Sequence, residues 1–279
     1  MSSSTEASET TQMVTPGGAT KPKMQSVWAI TWQRGLAELF AIVLFGVFAV
    51  HARTMSSVPG PEIGNYLSGF AYFAAAFATN IIFGAYMASY LSFHVLFTIW
   101  FGWDWVDNPA RLKWSSQRVW IPTVVQIIVQ GGAWFIVAVI GWGIFRSTAF
   151  NLALALTVPT IGDGVVFLLE FLGKLLIDLV VIFSAKYNSV WSWFAVSLSL
   201  GVAVAVLGPI TGGSLNAWRS LAIPLVQGAD LSPVGNELVQ LAYWGSELAA
   251  PIAAVVIKVL LFNNNKAKPG FRPINAKQT

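Results

Sequence analysis

The stretch that decides the fold is "GPITGGSLNAWRSLAIPLV", residues 208–226. Two glycines precede an asparagine and an arginine, and an apolar segment of about half a membrane span follows. A helix that crosses a bilayer needs about 20 apolar residues, so this segment is too short to span one. The stretch therefore predicts a helix that enters a membrane without crossing it.

The composition of the whole chain points to a membrane protein. Hydrophobic residues make up 56% of the sequence and charged residues 10%, whereas soluble domains carry about 25% charged residues. Six apolar runs have the length that spans a hydrocarbon core of about 30 Å. They cover residues 28–51, 66–83, 119–142, 165–183, 190–207 and 238–262. The sequence therefore predicts six transmembrane helices.

The basic residues indicate how these spans are oriented. One face of the membrane receives only Arg53 and Arg146. The other face receives Lys21, Lys23, Arg111, Lys113, Arg118, Lys186, Lys266, Lys268, Arg272 and Lys277. Excess Lys and Arg mark the cytoplasmic side, so both termini are expected in the cytosol. We interpret the net charge of +4 as part of this signal and expect no nucleic-acid partner.

Residue usage argues against most enzyme chemistry. The chain has no cysteine, which excludes disulfides, thiolate metal sites and cysteine nucleophiles. Its two histidines, His51 and His94, make a histidine-based metal site unexpected. We predict no catalytic residue, no metal and no cofactor.

A second short apolar segment follows the second span. Placed without gaps, "GAYMASYLS" (84–92) and "GGSLNAWRS" (212–220) share a glycine, a Met or Leu, small residues, an aromatic residue and a serine. Short segments that begin with glycine in corresponding places of two halves are typical of inverted repeats whose half-helices meet near the bilayer midplane. We therefore expect half-helices that begin near Ala88 and Asn216.

At these residues the sequence resembles the aquaporin, or major intrinsic protein, family. The resemblance runs from residues 34–48 to residues 242–262, and the second motif keeps Asn216, Arg219 and Ser220. In the family each half-helix opens with Asn-Pro-Ala, so both motifs are degenerate here. The resemblance places these motif positions at Ala88, Ser89 and Tyr90 in the first half and at Asn216, Ala217 and Trp218 in the second.

The resemblance implies an all-α membrane protein with six transmembrane helices and two re-entrant half-helices, arranged as two inverted repeats. The expected channel domain covers residues 27–263, with repeats at about 27–142 and 164–263. It lies between a disordered cytosolic tail, residues 1–26, and a second cytosolic tail, residues 264–279. Family members are tetramers with one pore per protomer, which implies a homotetramer. We favour the plasma membrane over an internal membrane.

Counting along the family pattern assigns the selectivity filter. It places the filter at Ser68, Val204, Gly213 and Arg219. Such a ring is wider and less polar than a filter for water alone, and closer to members that pass glycerol. Small residues at these positions could instead serve close helix packing. Asn216 and Arg219 are expected to line the pore as hydrogen-bond donors.

Charged residues within spans need an explanation, because each is costly at the bilayer centre. Glu38 and Glu170 match family glutamates that accept hydrogen bonds from the re-entrant loops. Lys174 and Asp178 follow Glu170 at four-residue spacing, so we interpret them as structural pairs rather than a proton pathway. Glu247 has no explanation from the sequence. His94 is read as a core histidine rather than a pH gate.

Two functions remain open. The first is a channel that passes water, small neutral solutes such as glycerol, or both, by passive diffusion. The second is a non-conducting membrane protein of the same fold with a structural or adhesion role. Tyr90 and Trp218 bear on this choice, since their rings either pack between helices or plug the pore.

Overall fold

The computed structural model describes residues 27–55, 61–84, 91–99, 117–144, 161–184, 189–227 and 237–262. Every regular element in these ranges is a helix. In chain order the helices are α1 Val27–Met55, α2 Pro61–Phe83, α3 Phe93–Ile99, α4 Gln117–Ile144, α5 Asp163–Ser184, α6 Ser189–Thr211, α7 Ala217–Gln227 and α8 Glu237–Phe262.

Six of these helices are long and two are short. Among the described residues, α1, α2, α4, α6 and α8 are each long and apolar enough to cross a membrane. The short helices, α3 with 7 residues and α7 with 11 residues, cannot cross one. The predicted set of six long helices and two half-helices is therefore confirmed.

The sixth long helix, α5, has two faces of different character. Leu168, Leu172 and Leu176 form an exposed apolar stripe along one face. Glu170, Lys174 and Asp178 lie on another face and are fully buried. This separation lets a helix with three charged residues in its middle lie in a membrane, because those charges contact protein and the leucines are free to contact lipid.

The two halves of the chain pack in the same way. Helix α1 packs against α2 and α4, and helix α5 packs correspondingly against α6 and α8. Each short helix lies against the last helix of the other half, so that α3 contacts α8 and α7 contacts α4. This reciprocal packing is expected of an internal repeat. It places both short helices at the boundary between the halves.

Helices α2 and α6 cross at a pair of glycines. A Cβ placed on Gly69 would lie 2.5 Å from the carbonyl oxygen of Gly201. A Cβ placed on Gly201 would lie 2.6 Å from the carbonyl oxygen of Gly69. Small residues allow such close approach of backbones in membranes. The two halves are thus joined by backbone contact at this crossing.

We expect Gly201→Ala to destabilise the protein by about 1–3 kcal/mol, because the added methyl group overpacks this crossing. The change should lower the melting temperature of the purified protein in detergent, measured by intrinsic fluorescence. Gly132→Ala on α4 is the matched control, since a Cβ there meets nothing within 4 Å. Equal melting temperatures for the two variants would contradict the close crossing.

Candidate functional site

The loops that precede the two short helices share an uncommon backbone conformation. Leu91 has a φ of 49° and Leu215 a φ of 47°, a left-handed conformation that residues other than glycine seldom adopt. Each leucine donates its amide to a buried carboxylate on the first helix of a half. Leu91 N lies 3.0 Å from Glu38 Oε1, and Leu215 N lies 2.9 Å from Glu170 Oε2. The two loops are therefore held in place by the same kind of hydrogen bond, from a leucine amide to a buried glutamate.

Each carboxylate also holds other groups in place. Glu38 accepts a hydrogen bond from Gln130 Nε2 at 3.0 Å. Glu170 accepts from Thr211 Oγ1 at 2.7 Å and from Ser214 N at 3.1 Å. Hydrogen bonds to a charged acceptor are stronger than neutral ones. These bonds satisfy loop amides that no helix ladder serves, so they can hold the leucines in their strained conformation.

The two loops define how the motifs of the halves correspond. Matching Leu91 with Leu215 aligns Ser92 with Asn216 and His94 with Trp218. The first half-helix accordingly begins at Phe93, not near Ala88. Leu91 and Ser92 precede the helix. The backbone conformation of Leu91, rather than the identity of the side chains, shows which residues of the two loops correspond. The first-half motif in the structure is thus Ser92, Phe93 and His94.

The motif positions expected from the sequence, Ala88, Ser89 and Tyr90, lie outside the described residues. The gap-free comparison of the two glycine-led segments set them four residues too early. A comparison of "YLSFHVLF" (90–97) with "SLNAWRSL" (214–221) would have found the structural register through the shared leucine. Sequence reasoning therefore missed Ser92.

Two residues expected in the filter do not line the cavity. Tyr72 stands four residues after Ser68. Ser68 is buried but is not among the residues that line the cavity, whereas Tyr72 is. Val204 lies buried in the hydrophobic core, also away from the cavity lining. The structure thus brings together Tyr72 and Arg219, and it leaves Ser68 and Val204 outside.

A cavity of about 60 Å³ lies between the halves. A single water needs about 10–15 Å³ of such space, so the cavity has room for about four to six waters. Among the side chains that line it are Tyr72, Ser92, His94, Trp134, Asn216 and Arg219. Apolar side chains, among them Phe45, Ile177 and Leu200, complete the wall.

Several polar atoms of this lining are buried and unpaired. Within the described residues, Tyr72 Oη, Ser92 Oγ, Trp134 Nε1 and Arg219 Nε have no hydrogen-bond partner. Buried polar atoms in native proteins nearly always have a partner. These four atoms are available to form hydrogen bonds with a polar molecule that enters the cavity.

Asn216 joins the two loops. Its Oδ1 accepts a hydrogen bond from Arg219 N at 3.2 Å, which caps the first turn of α7. Its Nδ2 donates to Leu91 O in the other loop at 2.8 Å. The amide has a second Nδ2 hydrogen that these contacts do not use, and Asn216 lines the cavity.

Arg219 is fixed beside the cavity, with an exposed fraction of 2%. Its Nη1 donates to Gly213 O at 3.0 Å and to Ser214 O at 3.3 Å. The guanidinium carbon lies 5.4 Å from the centre of the Tyr72 ring, within the range of a cation–π interaction. Gly213, expected in the filter, therefore contributes its carbonyl to the position of Arg219.

Trp218 packs between helices in the structure. A Cβ on Gly131 of α4 would lie 3.1 Å from its ring, and the ring meets Trp244 of α8 edge to face at 5.0 Å. Trp218 is not among the residues that line the cavity, and neither is Ala217. This placement favours the packing alternative over the plug.

A buried ionic network lies behind the cavity and connects α3, α5 and α8. His94 Nδ1 lies 2.7 Å from Asp178 Oδ1. Lys174 Nζ lies 3.2 Å from Glu247 Oε2 and 3.7 Å from Glu170 Oε2. Asp178 thus pairs with His94, and Glu247 is the counter-charge of Lys174, two contacts that the sequence spacing on α5 did not reveal.

Further hydrogen bonds satisfy the rest of this network. Lys174 Nζ donates to Ser246 Oγ at 2.7 Å and to Tyr243 O at 3.1 Å. The backbone amide of His94 donates to Glu247 Oε1 at 3.3 Å. A buried charge is tolerated when it is both paired and hydrogen-bonded. Lys174 meets both conditions.

Comparison with solved structures finds the X-ray structure of the aquaglyceroporin from Plasmodium falciparum, with a TM-score of 0.59. The match covers 81% of this chain and 93% of that chain, at 15% sequence identity. No protein-family model matches the sequence, and no curated protein matches it. At this identity the likeness shows the fold alone.

Proposed function

We propose that this chain, an integral membrane protein with an aquaporin-like fold, is a channel that passes water and small neutral solutes such as glycerol. One observation carries the proposal. A cavity with room for several waters is lined by side chains with four buried polar atoms that have no partner among the described residues. Passage is by passive diffusion, and neither a catalytic residue nor a cofactor takes part.

The charges around the cavity favour neutral solutes. Arg219 contributes a fixed positive charge, and the first turn of α7 presents the positive end of a helix dipole. Positive charge at a narrow pore opposes the passage of protons and cations. The apolar wall formed by Phe45, Ile177 and Leu200 suits the carbon chain of a small polyol. Polar and apolar sides together fit a glycerol-like molecule.

The proposal extends to the assembly and its membrane. It includes a homotetramer with one pore per protomer and both termini in the cytosol, in the plasma membrane. The excess of Lys and Arg on one side supports this orientation. The channel domain is residues 27–263, which contain all eight helices of the described chain.

A non-conducting structural or adhesion role is the second candidate. It is favoured by one observation, the burial of the cavity lining: Tyr72 and Arg219 are each only 2% exposed in the protomer. If these buried side chains close the pathway, the protein keeps its fold but passes no solute. Fold by itself does not decide between the two roles.

Osmotic swelling of vesicles separates these roles. The full-length protein is reconstituted into liposomes, and stopped-flow light scattering measures water flux and then glycerol flux. The control variant Ser92→Leu should block flux by filling the cavity at Ser92, without lowering the melting temperature markedly. We expect wild-type vesicles to respond several times faster than Ser92→Leu vesicles and protein-free vesicles. Equal rates in all three would support the structural role.

A further inference from the structure

Trp134 is a large buried residue of α4 that lines the cavity. It is 1% exposed. Its indole Nε1 is buried and has no hydrogen-bond partner among the described residues. An indole N–H can only donate, and a buried Trp usually finds a partner for it. A molecule that enters the cavity can supply the missing acceptor.

Contacts with α1 hold the Trp134 ring in place. Phe45 meets this ring edge to face with the ring centres 6.3 Å apart, and it meets the Tyr72 ring in the same way at 5.7 Å. Edge-to-face contact is a favourable arrangement of aromatic rings. One turn earlier on α4, Gln130 Nε2 donates to Glu38, the carboxylate that also holds the first loop. The indole is therefore fixed relative to the cavity before any solute arrives.

The cavity lining presents donors to a solute. Arg219 Nε is the second unpaired N–H of the described lining, and like Trp134 Nε1 it can only donate. The loop carbonyls of Leu91, Gly213 and Ser214 each already accept a hydrogen bond. Groups that can only donate need oxygen acceptors, and a solute with several oxygens provides them.

We propose that Trp134 is a specificity-determining residue of the pore, and that its indole N–H donates to a hydroxyl oxygen of a polyol. The inference rests on the proposed channel function and adds a residue of α4 to the determinants of its solute preference. Arg219 Nε donates to a further hydroxyl oxygen. The unpaired hydroxyls of Tyr72 and Ser92 can accept as well as donate, so they match the hydroxyl hydrogens of the same solute.

Glycerol should depend on the Trp134 N–H more than water does. Several waters fit in the cavity at once and can exchange hydrogen bonds with one another. A glycerol molecule displaces these waters, so its oxygens depend on donors from the protein. Loss of the Trp134 donor should therefore reduce glycerol flux more than water flux.

Trp134→Phe is the principal test, with Trp218→Phe as its matched control. The Nε1 of Trp218 is also buried without a partner in the described part of the chain, but Trp218 does not line the cavity. Both changes remove the same atoms, so the loss of ring size and of packing is matched. In reconstituted vesicles we expect the glycerol-to-water permeability ratio to fall about three- to tenfold in Trp134→Phe, the usual effect of one lost hydrogen bond. The ratio in Trp218→Phe should stay within about twofold of the wild type.

Two outcomes of the flux measurement overturn the inference. One is the same ratio in both variants. The other is a rise of glycerol and water flux together in Trp134→Phe at an unchanged ratio, because Trp134 would then act through its size alone. Wild-type vesicles that pass no solute would instead refute the channel function itself, and this inference with it.

A measurement on the wild-type protein covers the case in which Trp134→Phe fails to fold. The indole N–H signals are recorded by ¹H–¹⁵N correlation in detergent while glycerol is added. The signal of Trp134 is identified by its nuclear Overhauser contacts with the Phe45 ring, and that of Trp218 by its contacts with the Trp244 ring. We expect the Trp134 signal to shift and to saturate with glycerol, and the Trp218 signal to stay in place. A Trp134 signal that glycerol does not move, in a protein that conducts, would overturn this inference alone.

Discussion

Lys174→Met is expected to abolish most of the folded protein. Lys174 is fully buried and is the cation between Glu170 and Glu247. Its removal leaves two carboxylates buried without a counter-charge. Breaking a buried pair in this way costs about 3–5 kcal/mol, a large part of the 5–15 kcal/mol by which typical domains are stable. The loss should appear as a low yield of monodisperse protein and a strongly lowered melting temperature.

Two further variants make this result specific to the buried charge. Lys258→Met on α8 replaces a partly exposed lysine and should change the melting temperature little. The double variant Lys174→Met with Glu247→Gln removes one of the uncompensated charges and should recover part of the stability. Equal melting temperatures for the two single variants would show that Lys174 does not hold the network together.

Arg219→Ala is expected to remove most of the barrier to cations. A unit charge about 5–6 Å from a passing ion contributes about 3 kcal/mol at an effective dielectric constant of 20, which corresponds to roughly a hundredfold change in ion permeability. The variant also opens space beside the Tyr72 ring, so larger neutral solutes should pass. Proton and potassium leak into vesicles, followed with fluorescent dyes, measures the first effect.

Arg219→Lys separates charge from geometry. It keeps the positive charge but loses the planar donors that contact Gly213 and Ser214. We expect cations to remain excluded in this variant, while the glycerol-to-water ratio changes. A conducting Arg219→Ala protein with wild-type ion leak would place the barrier elsewhere. Melting temperatures of both variants must be compared first, because the guanidinium also ties the loop.

Much of the fold follows from local sequence. The half-length segment at 208–226 and six apolar runs suffice for the arrangement of long and short helices, because span length is set by membrane thickness. The charges on α5 are equally visible, since residues four apart share a helix face. These features depend on near neighbours in the chain, which a sequence displays directly.

The candidate site is harder to predict from the sequence, for two physical reasons. The backbone of Leu91 has a positive φ, which a leucine side chain does not predict, so the sequence places the start of the first half-helix too early. The partners of the α5 charges lie far along the chain. His94 and Glu247 reach Asp178 and Lys174 only once three helices have packed together.

The carboxylates of Glu38 and Glu170 also bear on protein engineering. They accept hydrogen bonds from the backbone amides of Leu91 and Leu215. A backbone amide is present whichever of the non-proline residues occupies the position. The side chains of the loops can therefore be changed without removing the hydrogen bonds that hold the loop backbone. Ser92, whose hydroxyl has no partner in the described structure, is consequently a position where new side chains can be installed to redesign the pore, while the scaffold that carries them stays as it is.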